Sequence, residues 1–270
     1  MITSPKNPRI RELRQLHSPK GRREQGLFLL EGTHLLSEAL ATHWPLHSLY
    51  FTPDWERHHP ILCSGIPTGV PTYAVSEAVL QVLATTTTPD GVVALAHRRP
   101  FAPQPEAHSP AFRLGLALET LQDPGNVGTI LRTAVAAGAD GLWLTPDSVD
   151  PDHPKLLRAS AGQWFRLPPR VLGDPEAFFA ACHHQGIQIL ATTSQGSRIY
   201  WEVDLRPPTL ILLGNEGSGL SQGWLDWADH HVLIPMHPQV ESLNVGISAG
   251  LILYEAYRQR QQSPQPFQKG

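Results

Sequence analysis

Three short segments of this chain carry the residue types from which a polar reaction could be built. Asp123-Pro124-Gly125-Asn126-Val127-Gly128 reads as a turn into a helix, and Arg132 follows one turn later. Asn126 sits where an N-cap belongs, while Ile130, Leu131, Ala134 and Val135 form the buried stripe of that helix. Arg132 lies about 200° around the helix from Ile130, off the stripe. It would face the strand ends, where open α/β sheets hold their ligands. The plainer alternatives are a helix cap and a surface charge.

The second segment is an apolar run through Leu212 and Leu213 that breaks into Gly214-Asn215-Glu216-Gly217-Ser218-Gly219. A glycine-rich turn after a buried strand can cradle a phosphate. This one lacks the Lys-Ser/Thr of a P-loop and does not match the GxGxxG spacing. Glu216 would also repel a phosphate, so an uncharged or cationic cofactor suits the turn better. Ser221 reads as the N-cap of a short helix containing Trp224 and Trp227. The third segment joins Ile234-Pro235-Met236 to Glu241-Ser242-Leu243-Asn244-Val245-Gly246. Ser242 and Asn244 suit capping, and Gly246, Ser248, Ala249 and Gly250 leave the following helix small on its surface. Glycine in a helix costs about 1 kcal/mol relative to alanine. Two in one turn therefore need a packing reason, of which a helix contact in a dimer is one.

Strands and helices must position these segments. Residues 1–26 read as helix or loop punctuated by Pro5, Pro8 and Pro19. Phe28 to Gly32 is a short apolar run ending in Glu-Gly; short strands are expected at 46–51, 70–75 and 91–96, with helices over 33–42 and 76–84. Residues 98–112 hold four prolines and no periodicity, the mark of a semi-rigid linker. Beyond them, strands at 114–118, 141–144, 187–191, 210–213 and 232–234 alternate with helices over 127–137, 154–162, 175–184 and 245–260. That alternation implies a mainly parallel sheet with helices on both faces. The expected organisation is a smaller α/β domain over 1–97, the linker 98–112, a larger α/β domain over 113–262 and a frayed tail over 263–270.

Composition narrows the partners. The chain has 270 residues, 41% hydrophobic and 17% charged, as a folded soluble protein would. No apolar run is long enough to span a bilayer, and the polar N-terminus does not read as a signal peptide. Cys63 and Cys182 define neither a disulfide framework nor a zinc spacing, and a reducing cytoplasm is the simplest compartment. The histidine pairs His58-His59, His183-His184 and His230-His231 point to different sides of their elements, so no metal site is expected. The net charge of −3 conceals an asymmetry: residues 1–30 carry +5 and the remainder −8. Lys6, Arg9, Arg11, Arg14, Arg22 and Arg23 make a basic arm suited to a polyanion such as RNA.

In combination, the three segments resemble the three motifs of the SpoU (TrmH-like) RNA 2′-O-ribose methyltransferases, across residues 114–260. Ser4-Pro5-Lys6-Asn7-Pro8, Phe28-Leu29-Leu30-Glu31-Gly32 and Pro89-Asp90-Gly91-Val92-Val93-Ala94 extend the resemblance to that family's substrate-binding domain, which is like certain RNA-binding ribosomal proteins. The resemblance implies a trefoil knot in the C-terminal sheet, a homodimer, S-adenosylmethionine as cofactor and an RNA substrate, ribosomal rather than transfer RNA given the two-domain build. It assigns Asn126, Arg132, Glu216, Ser242 and Asn244 to catalysis and substrate handling. Leu213, Gly214, Asn215, Gly217, Ile234, Met236, Leu243 and Asn244 would hold the cofactor. Gly246-Ile247-Ser248 departs mildly from relatives, which often carry other small residues there. A transfer-RNA enzyme, a non-catalytic RNA-binding module and a dinucleotide-dependent enzyme are the alternatives. Intact Asn126, Arg132 and Asn244 count against the second, and the missing GxGxxG against the third.

Overall fold

The computed structural model describes residues 1–98 and 112–261. The linker expected over 98–112 falls outside them apart from its two ends, and the tail 263–270 falls wholly outside. The chain divides into two compact units.

The N-terminal unit is built on four strands: β1 (Leu27–Glu31), β2 (Leu46–Phe51), β3 (Thr72–Ala74) and β4 (Val92–His97), in the order β1-β4-β2-β3. β4 runs antiparallel to β1 and β2, and β3 pairs parallel with β2. Residues 1–26, open between helix and loop in sequence, fold into helices Pro8–Leu13 and Pro19–Gln25. Each begins with proline at its first position, where no N–H is needed, behind a capping Asn7 or Ser18. Gly26 ends the second with φ +63°. Ile10, Leu13, Leu16, Val79 and Leu80 pack with Leu27, Leu29, Tyr50, Val93 and Leu95 in one core.

This unit also includes Asp152–Arg166, a stretch assigned to the larger domain on sequence grounds. Helix Pro154–Ala159 opens it, and the buried Trp164 packs 5.2 Å from the Phe28 ring and 4.9 Å from Trp44. Asp152 pairs with Arg22 at 2.9 Å, with both side chains fully buried, and also with Arg98. Arg158 reaches Glu31 at 2.8 Å. Gly162 combines φ +78° with a Glu38 side-chain carbon 2.3 Å from where a Cβ would stand, so no other residue fits.

The C-terminal unit holds β5 (Leu114–Leu118), β6 (Gly141–Leu144), β7 (Arg170–Val171), β8 (Gln188–Thr192), β9 (Arg198–Ile199), β10 (Thr209–Leu213) and β11 (His230–Leu233). Their order is β7-β6-β5-β10-β8-β11-β9, and every pairing is parallel. β7 and β9 have two residues each, too short to leave a periodic signal in sequence. β5 and β10 are buried at every position, as expected of central parallel strands covered on both faces. Ala117, Ile189, Ala191, Leu210 and Leu212 meet Phe178, Phe179 and Cys182 of helix Pro175–His184. Helices Pro124–Ala136 and Val245–Gln261 pack against each other. Their contact uses Gly246 and Gly250: a Cβ there would lie 3.5 and 3.7 Å from the methyls of Thr129 and Thr133. The two glycines thus lie against the chain's own threonines at ordinary contact distance. No helix among the described residues is long and apolar enough to cross a membrane.

Candidate active site

Strands β5, β10, β8 and β11 are consecutive in the parallel sheet, so their C-terminal ends open onto one edge. The strand order reverses between β5 and β10, where such sheets form ligand crevices. The loop after β5 fastens the glycine-rich turn after β10. Glu119, which sequence reasoning passed over, accepts from the Ser221 amide at 2.8 Å and its hydroxyl at 2.6 Å. Ser221 spends its hydroxyl there and makes no side-chain cap to helix Gln222–Leu225, which ends before Trp227. Thr120 has φ +56°, a genuine outlier for a β-branched residue. Three bonds hold it there. Its amide donates to Thr145 Oγ1, its hydroxyl to Asp147, and its carbonyl accepts from Asn215 Nδ2, each at 2.8 Å. The Thr145 hydroxyl, then that of Thr120, keeps the Asp147 carboxyl below the usual carboxylate range. Asn215 Oδ1 in turn accepts from the amides of Gly217 at 2.9 Å and Ser218 at 3.3 Å, closing the turn. A Cβ on Gly214 would stand 2.2 Å from the Gly219 carbonyl carbon, so that position must be glycine.

Residues from all three sequence segments meet here. Asn244 Oδ1 accepts from Gly246 N at 2.9 Å and Ile247 N at 3.3 Å, capping the C-terminal helix. With its oxygen committed, its amide donates to Asn126 Oδ1 at 2.9 Å. The Asn126 amide then donates to Glu216 Oε1 at 2.8 Å. This hydrogen-bonded row fixes both amide orientations. It leaves the other Glu216 oxygen and spare amide hydrogens for a bound molecule. Asn126 itself is not the cap of its helix. Asp123 takes that place, accepting from Asn126 N at 2.9 Å, because the helix begins one residue later at Pro124. The Asn126 side chain is thereby free to bridge.

Arg132 is exposed on the same helix, with no hydrogen bond or ion pair among the described residues. Ser242 is exposed and makes no cap: Asn244 does that work. Leu213 is buried at the end of β10; Ile234 and Met236 are part-exposed beyond β11, and Leu243 is exposed in the following loop. Two features of this edge left no mark in sequence reasoning. Thr192, the last residue of β8, has a buried hydroxyl with no hydrogen-bond partner. Gly196 presses so closely on β11 that a Cβ would stand 2.4 Å from the Val232 carbonyl carbon. Among the described residues, no group of three or more His, Cys, Asp or Glu side chains could hold a metal ion.

The basic arm lies on the N-terminal unit. Lys6, Arg11, Arg14 and Arg23 are exposed, and Arg9 is half-buried. Arg22 is not available to RNA. Fully buried, it is bound to Asp152 and to the carbonyls of Leu16 and His17 at 3.1 and 3.3 Å.

Comparison with known proteins defines the class. Residues 113–254 match the SpoU rRNA Methylase family, and residues 7–94 match the MRM3-like substrate binding domain. The chain belongs to the SpoU rRNA methylase family. It is 31% identical over 253 residues to the 23S rRNA (guanosine(2553)-2′-O)-methyltransferase RlmP of Bacillus subtilis, covering 94% of this chain and 97% of that one. It is 48% identical over 260 residues to a Synechocystis sp. protein described as an "uncharacterized tRNA/rRNA methyltransferase", covering 96% and 94%. The SpoU methyltransferase AviRb of Streptomyces viridochromogenes, solved with the cofactor AdoMet, superposes with a TM-score of 0.85 at 29% identity, covering 96% of this chain and all of that one.

Proposed function

We propose that the chain transfers a methyl group from S-adenosylmethionine to a ribose 2′-hydroxyl of ribosomal RNA. The observation that carries this reading is the Asn244–Asn126–Glu216 row, assembled from three distant segments at the C-terminal edge of a parallel sheet. The residues present suit the cofactor. The edge offers apolar walls in Leu213, Ile234, Met236 and Leu243, backbone from the Gly214 turn, and the orphaned buried hydroxyl of Thr192. No cationic side chain stands in the glycine turn to repel a sulfonium, and Glu216 stands in it. When bound, S-adenosylmethionine supplies a methyl group made electrophilic by that sulfonium.

The chain's own task is alignment and charge. Holding two reactants in line can contribute about 7–11 kcal/mol of barrier reduction. A ribose hydroxyl gathers negative charge as it attacks, and fixed donors aimed at it are the strongest aid a site can offer. A guanidinium stays protonated, so Arg132 acts as a charge on the ribose oxygen or an adjacent phosphate rather than as a base. Asn126 and Asn244, their orientations fixed, position the nucleotide. Glu216 orients Asn126 and keeps one oxygen for a ribose hydroxyl. Ser242, exposed beside them, is a further donor to the substrate.

The N-terminal unit holds the RNA through Lys6, Arg9, Arg11, Arg14 and Arg23, without Arg22. The C-terminal sheet carries the trefoil knot of its family, and the protein works in the cytoplasm as a homodimer. The dimer face is the stripe Ile247, Leu251 and Tyr254, which is exposed at helical spacing on the C-terminal helix, beside the Gly246 and Gly250 face that meets Thr129 and Thr133. The test is transfer of labelled methyl to RNA from cells lacking the protein, followed by mapping of the modified nucleotide. Label on a ribosomal 2′-oxygen is expected; label confined to transfer RNA, or none, would overturn the reading.

A further inference from the structure

Half-buried cations in folded proteins are ordinarily paired with carboxylates, because a desolvated charge is costly alone. One cluster on the N-terminal unit departs from this. Arg9, in the first helix, lays its guanidinium 4.1 Å above the Tyr73 ring, and Tyr73 stacks at 5.1 Å on Tyr50. The guanidinium also lies within electrostatic reach of the Tyr50 hydroxyl and of His47. His47 sits 5.5 Å from His97, ring centre to ring centre. No carboxylate pairs with Arg9, His47 or His97 among the described residues. The Tyr50 side chain is fully buried, and its hydroxyl has no hydrogen-bond partner. Burial, then the neighbouring His97, then Arg9 hold His47 below the ordinary histidine range.

Four polar groups thus gather without a carboxylate, His47 Nδ1 meeting only the Ser48 hydroxyl at 3.0 Å, and three of the four are positive or can become so. Stacking on Tyr73 removes most of the rotamer freedom Arg9 would lose on binding, which exposed Lys6, Arg11, Arg14 and Arg23 keep. We propose that Arg9, His47, His97 and the Tyr50 hydroxyl form a seat for one backbone phosphate of the RNA substrate. The seat rests on the reading that this unit binds RNA, and it names Arg9 as the preorganised anchor of the basic arm. A phosphate there supplies the missing negative charge and draws His47 toward its protonated form. Binding is therefore coupled to proton uptake. The groups facing His47 are Arg9 from the first helix, His97 from β4 and the neighbouring Ser48 hydroxyl at 3.0 Å; Arg9 and His97 oppose that uptake in the free protein, and a bound anion offsets them.

The experiment is filter binding of the full chain to protein-free 23S ribosomal RNA between 50 and 200 mM salt, at pH 6 and pH 8. The wild type is expected to bind more tightly at pH 6. Arg9→Gln should lower the slope of log affinity against log salt by about one, with circular dichroism confirming its fold. His97→Gln, at an exposed position, should reduce the pH effect even if Arg9→Gln folds poorly. The imidazole of His47, followed by NMR, should titrate at higher pH with RNA than without. If Arg9→Gln and His97→Gln bind as wild type does, while a combined Lys6, Arg11, Arg14 and Arg23 to Gln variant loses binding, the seat is refuted and the RNA-binding reading stands. If the wild type does not bind the RNA, both fall.

Discussion

Replacing Asp152 with alanine tests whether Asp152–Arg166 is an integral part of the N-terminal unit. Asp152 is fully buried and holds two guanidiniums: Arg22, fully buried at 2.9 Å, and Arg98, 13% exposed. Removing one partner of a buried pair costs about 3–5 kcal/mol, because the remaining charge is stranded away from water. Arg22 keeps two carbonyl acceptors, at 3.1 and 3.3 Å, which soften but cannot neutralise that charge. Arg98 reaches solvent and adds little. The N-terminal unit should therefore lose about 3–5 kcal/mol, or about 10–20 °C in melting temperature for a domain near 100 residues. Urea titration with hydrogen exchange on β1 and β4 amides reads that unit apart from the other. The double variant Arg22→Met with Asp152→Leu should recover most of the loss, since well-packed apolar replacements of a buried pair are often neutral. A loss under about 1 kcal/mol in Asp152→Ala would refute the buried pair and return Arg22 to the RNA-contact group.

Arg132→Ala should lower single-turnover methylation by about 10²-fold or more while shifting stability by no more than about 0.5 kcal/mol, and Arg132→Lys should recover little if the planar fork matters. Near-normal turnover in the alanine variant would remove Arg132 from the site. Asn126→Ala breaks both links of the amide row, so its methylation rate should fall with little change in melting temperature. Thr120→Asn should raise the melting temperature, since asparagine tolerates the left-handed backbone that threonine resists; a fall would mean that the bond to Asp147 outweighs the strain. Deleting residues 1–97 alone should give an aggregating fragment, because Leu156, Leu157 and Trp164, each fully buried, lose their packing partners. A soluble, cofactor-binding fragment would show that Asp152–Arg166 refolds elsewhere. Leu251→Glu should turn a dimer into a monomer by light scattering; an unchanged mass would move the interface off that stripe.

What the sequence disclosed follows from the range of each interaction. β5 and β10 were legible because unbroken apolar runs bounded by turns have few other fates, and the C-terminal helix because its small-residue run lies at its start. Asn126, Glu216 and Asn244 could be singled out by type, but their joining spans 90 and 118 positions and depends on strand order, which periodicity does not encode. The same limit explains Arg22. A run of basic residues reads as one solvent-facing patch, and only the distant Asp152 turns one member inward. Glu119 carried no motif of its own, because its work, holding Ser221, exists only once β10 lies beside β5. The glycines make the converse case. Gly246 and Gly250 stand out in sequence as small residues in a helix, but sequence could not say that the chain's own Thr129 and Thr133 lie against them. Residue types can therefore nominate a site, whereas its connectivity is set by the order of strands in the sheet. The amide row is a product of that order. It follows that a variant disturbing the β5–β10 pairing should disable the row as thoroughly as removal of Asn126 does.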